Sequence, residues 1–193
     1  MLHLLRAYFE RDEPITDEQF DLIQSKFILK QLKKGEFLLR EGEIARYGAF
    51  VAKGCLRSYV LDNKGKQHIV QFAPENWWLT DADSILQNKP TIYFMDAIED
   101  TAVFLLDPSS HIFLLQHVPA YATQFQTGIQ KHAAAKDKRI VASLSSMAEE
   151  RYKEFIQTYP SIVQRVPQHM LASYLGIMPE TLSRIRKQMA KKK

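Results

Sequence analysis

The sequence predicts an α+β chain: a β-sandwich or barrel first, then one long helix, then a small helical unit at the C-terminus. Three observations predict it. Between Phe37 and Asp107 the apolar residues fall in short β-rich runs separated by turn residues. Five of the seven glycines, at 35, 42, 48, 54 and 65, crowd into residues 35–65, where tight corners between strands need positive φ or an absent Cβ. After Asp107 the spacing becomes helical and stays so. A chain of 193 residues, 46% apolar and 25% charged, is long enough for one good core and a small second unit.

The elements follow in chain order. Thr16 and Gln19 form a capping box, and Ile15 with Phe20 a hydrophobic staple, so a helix of about 12 residues carrying Phe20, Ile23 and Phe27 is expected to start there. The β-runs are Phe37 to Leu39, Phe50 to Ala52, Leu56 to Leu61, His68 to Phe72, Ile92 to Ala97 and Ala102 to Leu106. Asp62-Asn63-Lys64-Gly65 reads as the hairpin turn joining two of them. Ser109 to Val118 predicts a short helix. From Pro119 a long one follows, with Tyr121, Phe125, Ile129, Ala133, Ile140 and Leu144 near one stripe. Either the same helix of a second copy covers that stripe, with Ala133 to Ala135 allowing close approach, or the helix lies flat on the β domain. Ser146 with Glu149 predicts a further cap, placing a hinge at residues 145–147. The expected division is therefore 1–118, a β-rich domain; 119–146, the long helix; and 147–193, a helical end.

Charge is uneven. Residues 1–146 hold 17 Lys+Arg against 18 Asp+Glu, whereas residues 147–193 hold 9 against 4. A basic end on a near-neutral body suits a polyanion partner, nucleic acid first. The segment from Gln168 to Lys187 supplies a matching shape. Ala172 is the small residue that lets a second helix cross closely, and Gly176 suits a left-handed turn. Pro179 fits the first turn of the second helix, and Leu182, Ile185 and Met189 seal it from inside. Glu180, Ser183, Arg184 and Lys187 are left on the opposite face, where a recognition helix meets base edges in the major groove. Thr181, Arg186, Gln168, His169 and the Lys191–Lys193 tail are placed to reach phosphates, which position a protein without reading sequence.

These features resemble the Crp/Fnr family of bacterial transcription regulators. The resemblance rests on Lys34-Gly35-Glu36-Phe37-Leu38, Glu41-Gly42-Glu43 and Lys53-Gly54-Cys55-Leu56-Arg57 in the β region. It rests also on Ala172-Ser173-Tyr174-Leu175-Gly176-Ile177 and Glu180-Thr181-Leu182-Ser183-Arg184-Ile185 near the end. It implies a cyclic-nucleotide-binding-like double-stranded β-helix, or jelly roll, a long dimerisation helix and a terminal helix-turn-helix. It further implies a homodimer on a two-fold-related site in double-stranded DNA, in which a ligand signal passes from the β-roll to the reading end. By matching position, Glu180 and Arg184 are its base-reading residues.

Two features depart from the family. The phosphate cassette of its cyclic-AMP-binding members has a Gly-Glu pair and, some ten residues on, an Arg-Ser or Arg-Thr pair. Here Asn76 to Ser84 and Lys89 to Tyr93 contain neither the Gly-Glu pair nor the arginine. Lys89 is the only Lys or Arg between Gln67 and Gln130, and a buried phosphate needs a cation and close backbone N–H groups. A response to cyclic AMP in the usual way is therefore not expected, and any small-molecule effector is unidentified. Trp77, Trp78, Asp81, Thr91 and Tyr93 are the candidate pocket; the alternative for the aromatics is core packing. The chain also ends soon after the recognition helix, leaving little length for the family's β-hairpin wing.

Other chemistry finds no support. The six histidines include no His-x-His pair, and His68 stands alone in the β region, so no metal site is expected. Cys55, the one cysteine, forms no internal disulfide and reads as a small buried apolar residue. Gly-x-Ser-x-Gly, Gly-Lys-Ser/Thr and Gly-x-Gly-x-x-Gly patterns do not occur, so neither catalysis nor a cofactor is expected. The longest apolar runs, such as Ala102 to Leu106, are far below the roughly 20 residues of a membrane span, and a cytoplasmic protein without membrane contact is expected. The competing function is a cyclic-nucleotide or small-ligand sensor module whose C-terminal domain docks on protein.

Overall fold

The computed structural model describes residues 1–191. Its elements are α1 (Leu2–Phe9), α2 (Asp17–Ser25), β1 (Ile28–Leu32), β2 (Phe37–Leu39), β3 (Gly48–Lys53), β4 (Leu56–Leu61), β5 (Gln67–Ala73), β6 (Trp78–Leu79), α3 (Ala82–Gln87), β7 (Phe94–Ala97) and β8 (Thr101–Leu106). They continue with α4 (Pro108–His117), α5 (Pro119–Ser145), α6 (Ala148–Thr158), α7 (Gln168–Leu175) and α8 (Pro179–Lys191). The strands form two four-stranded sheets, ordered β1-β8-β3-β6 and β2-β7-β4-β5. Every resolved register is antiparallel, with Phe50 opposite Phe104 on one side and Trp78 on the other. The α+β jelly-roll expectation is met.

The chain divides into two compact units: residues 1–58 with 72–130, and residues 59–71 with 131–193. The core of the first gathers Leu5, Tyr8 and Phe9 of α1, Phe20 and Ile23 of α2, Phe50 and Phe104 of the sheet, Leu114 of α4 and Tyr121 of α5. β8, between β1 and β3, is buried along its whole length, which explains its uninterrupted Ala-Val-Phe-Leu-Leu run. Gly54 (φ +92°) turns β3 into β4 where a Cβ would stand 2.6 Å from Thr101 Oγ1 and 2.7 Å from the Asp100 carbonyl, so only glycine fits.

The Thr16–Gln19 box is present, Gln19 N–H donating to Thr16 Oγ1 at 3.2 Å and Thr16 N–H to Gln19 Oε1 at 3.0 Å. Its helix is shorter than the spacing predicts. It stops at Ser25 because Ile28–Leu32 pair with β8, and Phe27 joins the aromatic core beside Phe104 and Trp78 instead. The cap of α6 lies one residue later than Ser146. Met147 is the N-cap, and its N–H donates to the Glu150 carboxylate at 2.9 Å. The break between α5 and α6 falls within the expected hinge.

Candidate nucleic-acid interface

In the second unit, α6, α7 and α8 pack around Tyr152, Phe155, Ile162, Val166, Leu171, Ala172, Leu175, Leu182 and Ile185, all buried. Ala172 is 1% exposed, the close crossing its small side chain permits. Gly176 ends α7 in the left-handed region (φ 65°, ψ 36°), and Ile177 N–H donates back to Ala172 O at 3.0 Å. That pair is a Schellman-type stop. It reverses the chain in three residues, so that α8 begins at Pro179, a position where the missing N–H costs nothing.

The apolar positions of α8 set the direction of the others. With Leu182 and Ile185 inside, Glu180, Arg184 and Lys187 are exposed and Ser183 half-buried. With Gln188 they line one open hollow along the outer face of the helix. Thr181, Arg186 and Met189 are half-buried at the flanks, and Gln168 and His169 are exposed at the start of α7. Arg184 and Lys187 form no ion pair with any described residue, leaving both charges for an anion. The side chain of Lys191 and residues Lys192 and Lys193 lie outside the described residues.

Two arginines fix α7 from behind. Arg151 on α6 donates from Nε to Leu175 O at 3.0 Å and from Nη1 to Ser146 O at 2.6 Å. Arg139 on α5 donates from Nη2 to Tyr174 O at 3.0 Å, its guanidinium lying 3.9 Å from the centroid of the Tyr174 ring. Burial pushes the Tyr174 phenol above its ordinary range, although the Tyr159 hydroxyl and Arg139 oppose it. Sequence reasoning missed both arginines. Each sits among polar neighbours on a helix and carries no motif; the one signal is a cation on a helix aligned with the C-terminal carbonyls of another.

The candidate pocket residues separate. Asp81 caps α3, accepting from Ser84 N–H at 3.1 Å and from Thr91 Oγ1 at 2.6 Å, and Tyr93 N–H donates to Thr91 Oγ1 at 3.1 Å. Those three are brought together. Trp77 is buried, and Trp78 joins the core, its ring 5.5 Å from Phe50 and 6.0 Å from Phe27. The β region also holds a paired cation, Arg57, which the sequence shows only as the last residue of the Lys53–Arg57 motif. Arg57 donates from Nε to Asp96 Oδ1 at 2.6 Å and from Nη2 to Asp96 Oδ2 at 2.9 Å, both side chains 8% exposed. No group of three His, Cys, Asp or Glu able to hold a metal occurs among the described residues, and no described helix is long and apolar enough to cross a membrane.

Residues 29–117 match the cyclic nucleotide-binding domain family. Among solved structures, the chain is similar to FixK2 from Bradyrhizobium japonicum (21% identity, 86% of this chain and 85% of that one, TM-score 0.72). It is similar to the catabolite activator protein of Thermus thermophilus (19%, 96% and 87%, 0.56) and to a Crp/Fnr-family chain from Eubacterium rectale (15%, 96% and 88%, 0.66). Comparison with the curated proteins gives no match. Residues 29–117 thus resemble the cyclic nucleotide-binding domain, and the fold is like that of the Crp/Fnr-type structures, as the resemblance in the sequence implies.

Proposed function

We propose that the chain is a homodimeric, sequence-specific DNA-binding transcription regulator of the Crp/Fnr type, acting in the cytoplasm and not as an enzyme. The observation that carries it is the outer face of α8, where Glu180, Ser183, Arg184 and Lys187 stand together on a helix whose inner face is sealed. A helix of that width fits the major groove of duplex DNA. Arg184 takes a guanine edge bidentately, Ser183, Glu180 and Lys187 face neighbouring base edges, and Gln168, His169, Thr181 and Arg186 hold phosphates. In this reading residues 1–118 sense, 119–146 dimerise and 147–193 read DNA.

The stripe of α5 supports the dimer. Its first part is covered within the first unit, Tyr121 being fully buried and Phe125 partly so. Further along, Ile129, Ile140, Val141 and Leu144 are 52%, 49%, 61% and 83% exposed. A helix surface so apolar suits the same surface of a second copy.

The β-roll, in the same reading, answers to a small-molecule effector other than cyclic AMP. Asp81 and Thr91 are occupied with each other and with α3, and Arg57 with Asp96, so a cyclic phosphate meets carboxylates instead of a free cation. Selection of bound sequences from a random duplex library tests the main claim: enrichment of a two-fold-related site supports it, and no enrichment contradicts it. Calorimetric titration with cyclic AMP is expected to give no heat of binding, and micromolar affinity would overturn this account of the β-roll.

A further inference from the structure

Met178 opens α8 and is an exception in its neighbourhood. Among the described residues from 148 to 190 it is the only large apolar side chain left exposed, at 61%. Its backbone is nonetheless held from both sides. Before it, Ile177 N–H donates to Ala172 O at 3.0 Å, and after it Leu182 N–H donates to Met178 O at 3.1 Å. Met178 is thus the N-cap of α8, two residues ahead of Glu180, and Pro179 between them is also exposed.

An N-cap usually carries Ser, Thr, Asp or Asn, whose oxygen accepts from the first turn. Met178 offers only a thioether, a weak acceptor, and Pro179 has no N–H. The start of α8 therefore presents hydrocarbon to the outside. Laid against a phosphate or a polar base edge, that hydrocarbon strips water from groups it cannot bond, which is costly. The N-terminal residues of a recognition helix are the ones that meet base edges. In the major groove the bases present donors and acceptors with one apolar exception, the C5-methyl group of thymine.

We propose that Met178 reads a thymine C5-methyl group, so that each half-site of the target duplex holds an A·T pair beside the bases faced by Glu180. The contact rests on the proposed function and gives one position of its target a base identity. A flexible, unbranched side chain suits it, because Met adapts its shape to the surface it covers.

The test uses the full chain and a duplex recovered by selection. Each thymine of a half-site is replaced in turn by deoxyuridine, which removes the methyl group and leaves the hydrogen-bonding groups in place. Wild type should bind about fourfold more weakly when one particular thymine is replaced, the worth of a single buried methyl group. Met178→Ser supplies a favoured N-cap and so keeps the start of the helix. It should bind the thymine and deoxyuridine duplexes equally at that position, and Met178→Leu should restore the difference. A methyl effect that survives in Met178→Ser would overturn the contact. Equal binding by wild type at every replacement would also overturn it while leaving the proposed function standing. If wild type binds no duplex, the proposed function fails and the methyl contact with it.

Discussion

At the residue scale the most consequential contact outside the reading face is the Arg57–Asp96 pair. Both side chains are almost completely buried, so removing one partner strands a charge away from water. Asp96→Ala is expected to lower unfolding free energy by about 3–5 kcal/mol, whereas Arg57→Met with Asp96→Leu should cost far less, because the pair's own desolvation disappears with it. Denaturant unfolding of both variants checks this. A second residue sets an acid limit. His68, followed by the Lys66 and Lys64 N–H groups, holds the Asp62 carboxyl down from 3.8 to about 2. A depressed carboxylate stabilises the fold above its ordinary range and loses that contribution as pH falls through its folded value. The 62–66 turn should therefore loosen between pH 4 and 2, seen as faster exchange of the Lys64 and Lys66 amides, and Asp62→Ala should abolish the pH dependence.

At the element scale, legibility followed the physics of each segment. The Thr16–Gln19 cap, the Asp62–Gly65 turn and the Gly176 stop were readable because one residue's backbone or side-chain chemistry decides each of them. β1 was not, since Phe27 continues the apolar spacing of α2 and only pairing with β8, seventy-odd residues away, makes 28–32 a strand. The N-cap of α6 slipped by one because Ser146 and Met147 are followed at the same interval by Glu149 and Glu150, and local pattern does not choose between them. On α8 the inner and outer faces were legible from spacing alone. The anchors Arg139 and Arg151 were not, as each bonds backbone carbonyls that have no side-chain signature. α5 carries its own prediction: Ile140→Asp with Leu144→Asp puts charge on the exposed apolar stripe and should convert a dimer to monomer in sedimentation, leaving the helical signal of the chain intact.

At the scale of the whole molecule, a β-rich domain that resembles the cyclic nucleotide-binding type is joined to a basic helical end, and in the proposed function α8 reads duplex sequence. A dimer would place two copies of α8 on half-sites about one helical turn apart, and binding should fall steeply with salt as phosphate counterions are released. The most direct measurement compares wild type and Arg184→Ala on a selected duplex and on random duplex at the same ionic strength. Arg184→Ala is expected to lose roughly 1–3 kcal/mol on the selected duplex, to relax the preference at one base pair of each half-site, and to change little on random duplex. Equal losses on both, or no duplex binding by wild type at low salt, would contradict the proposed function.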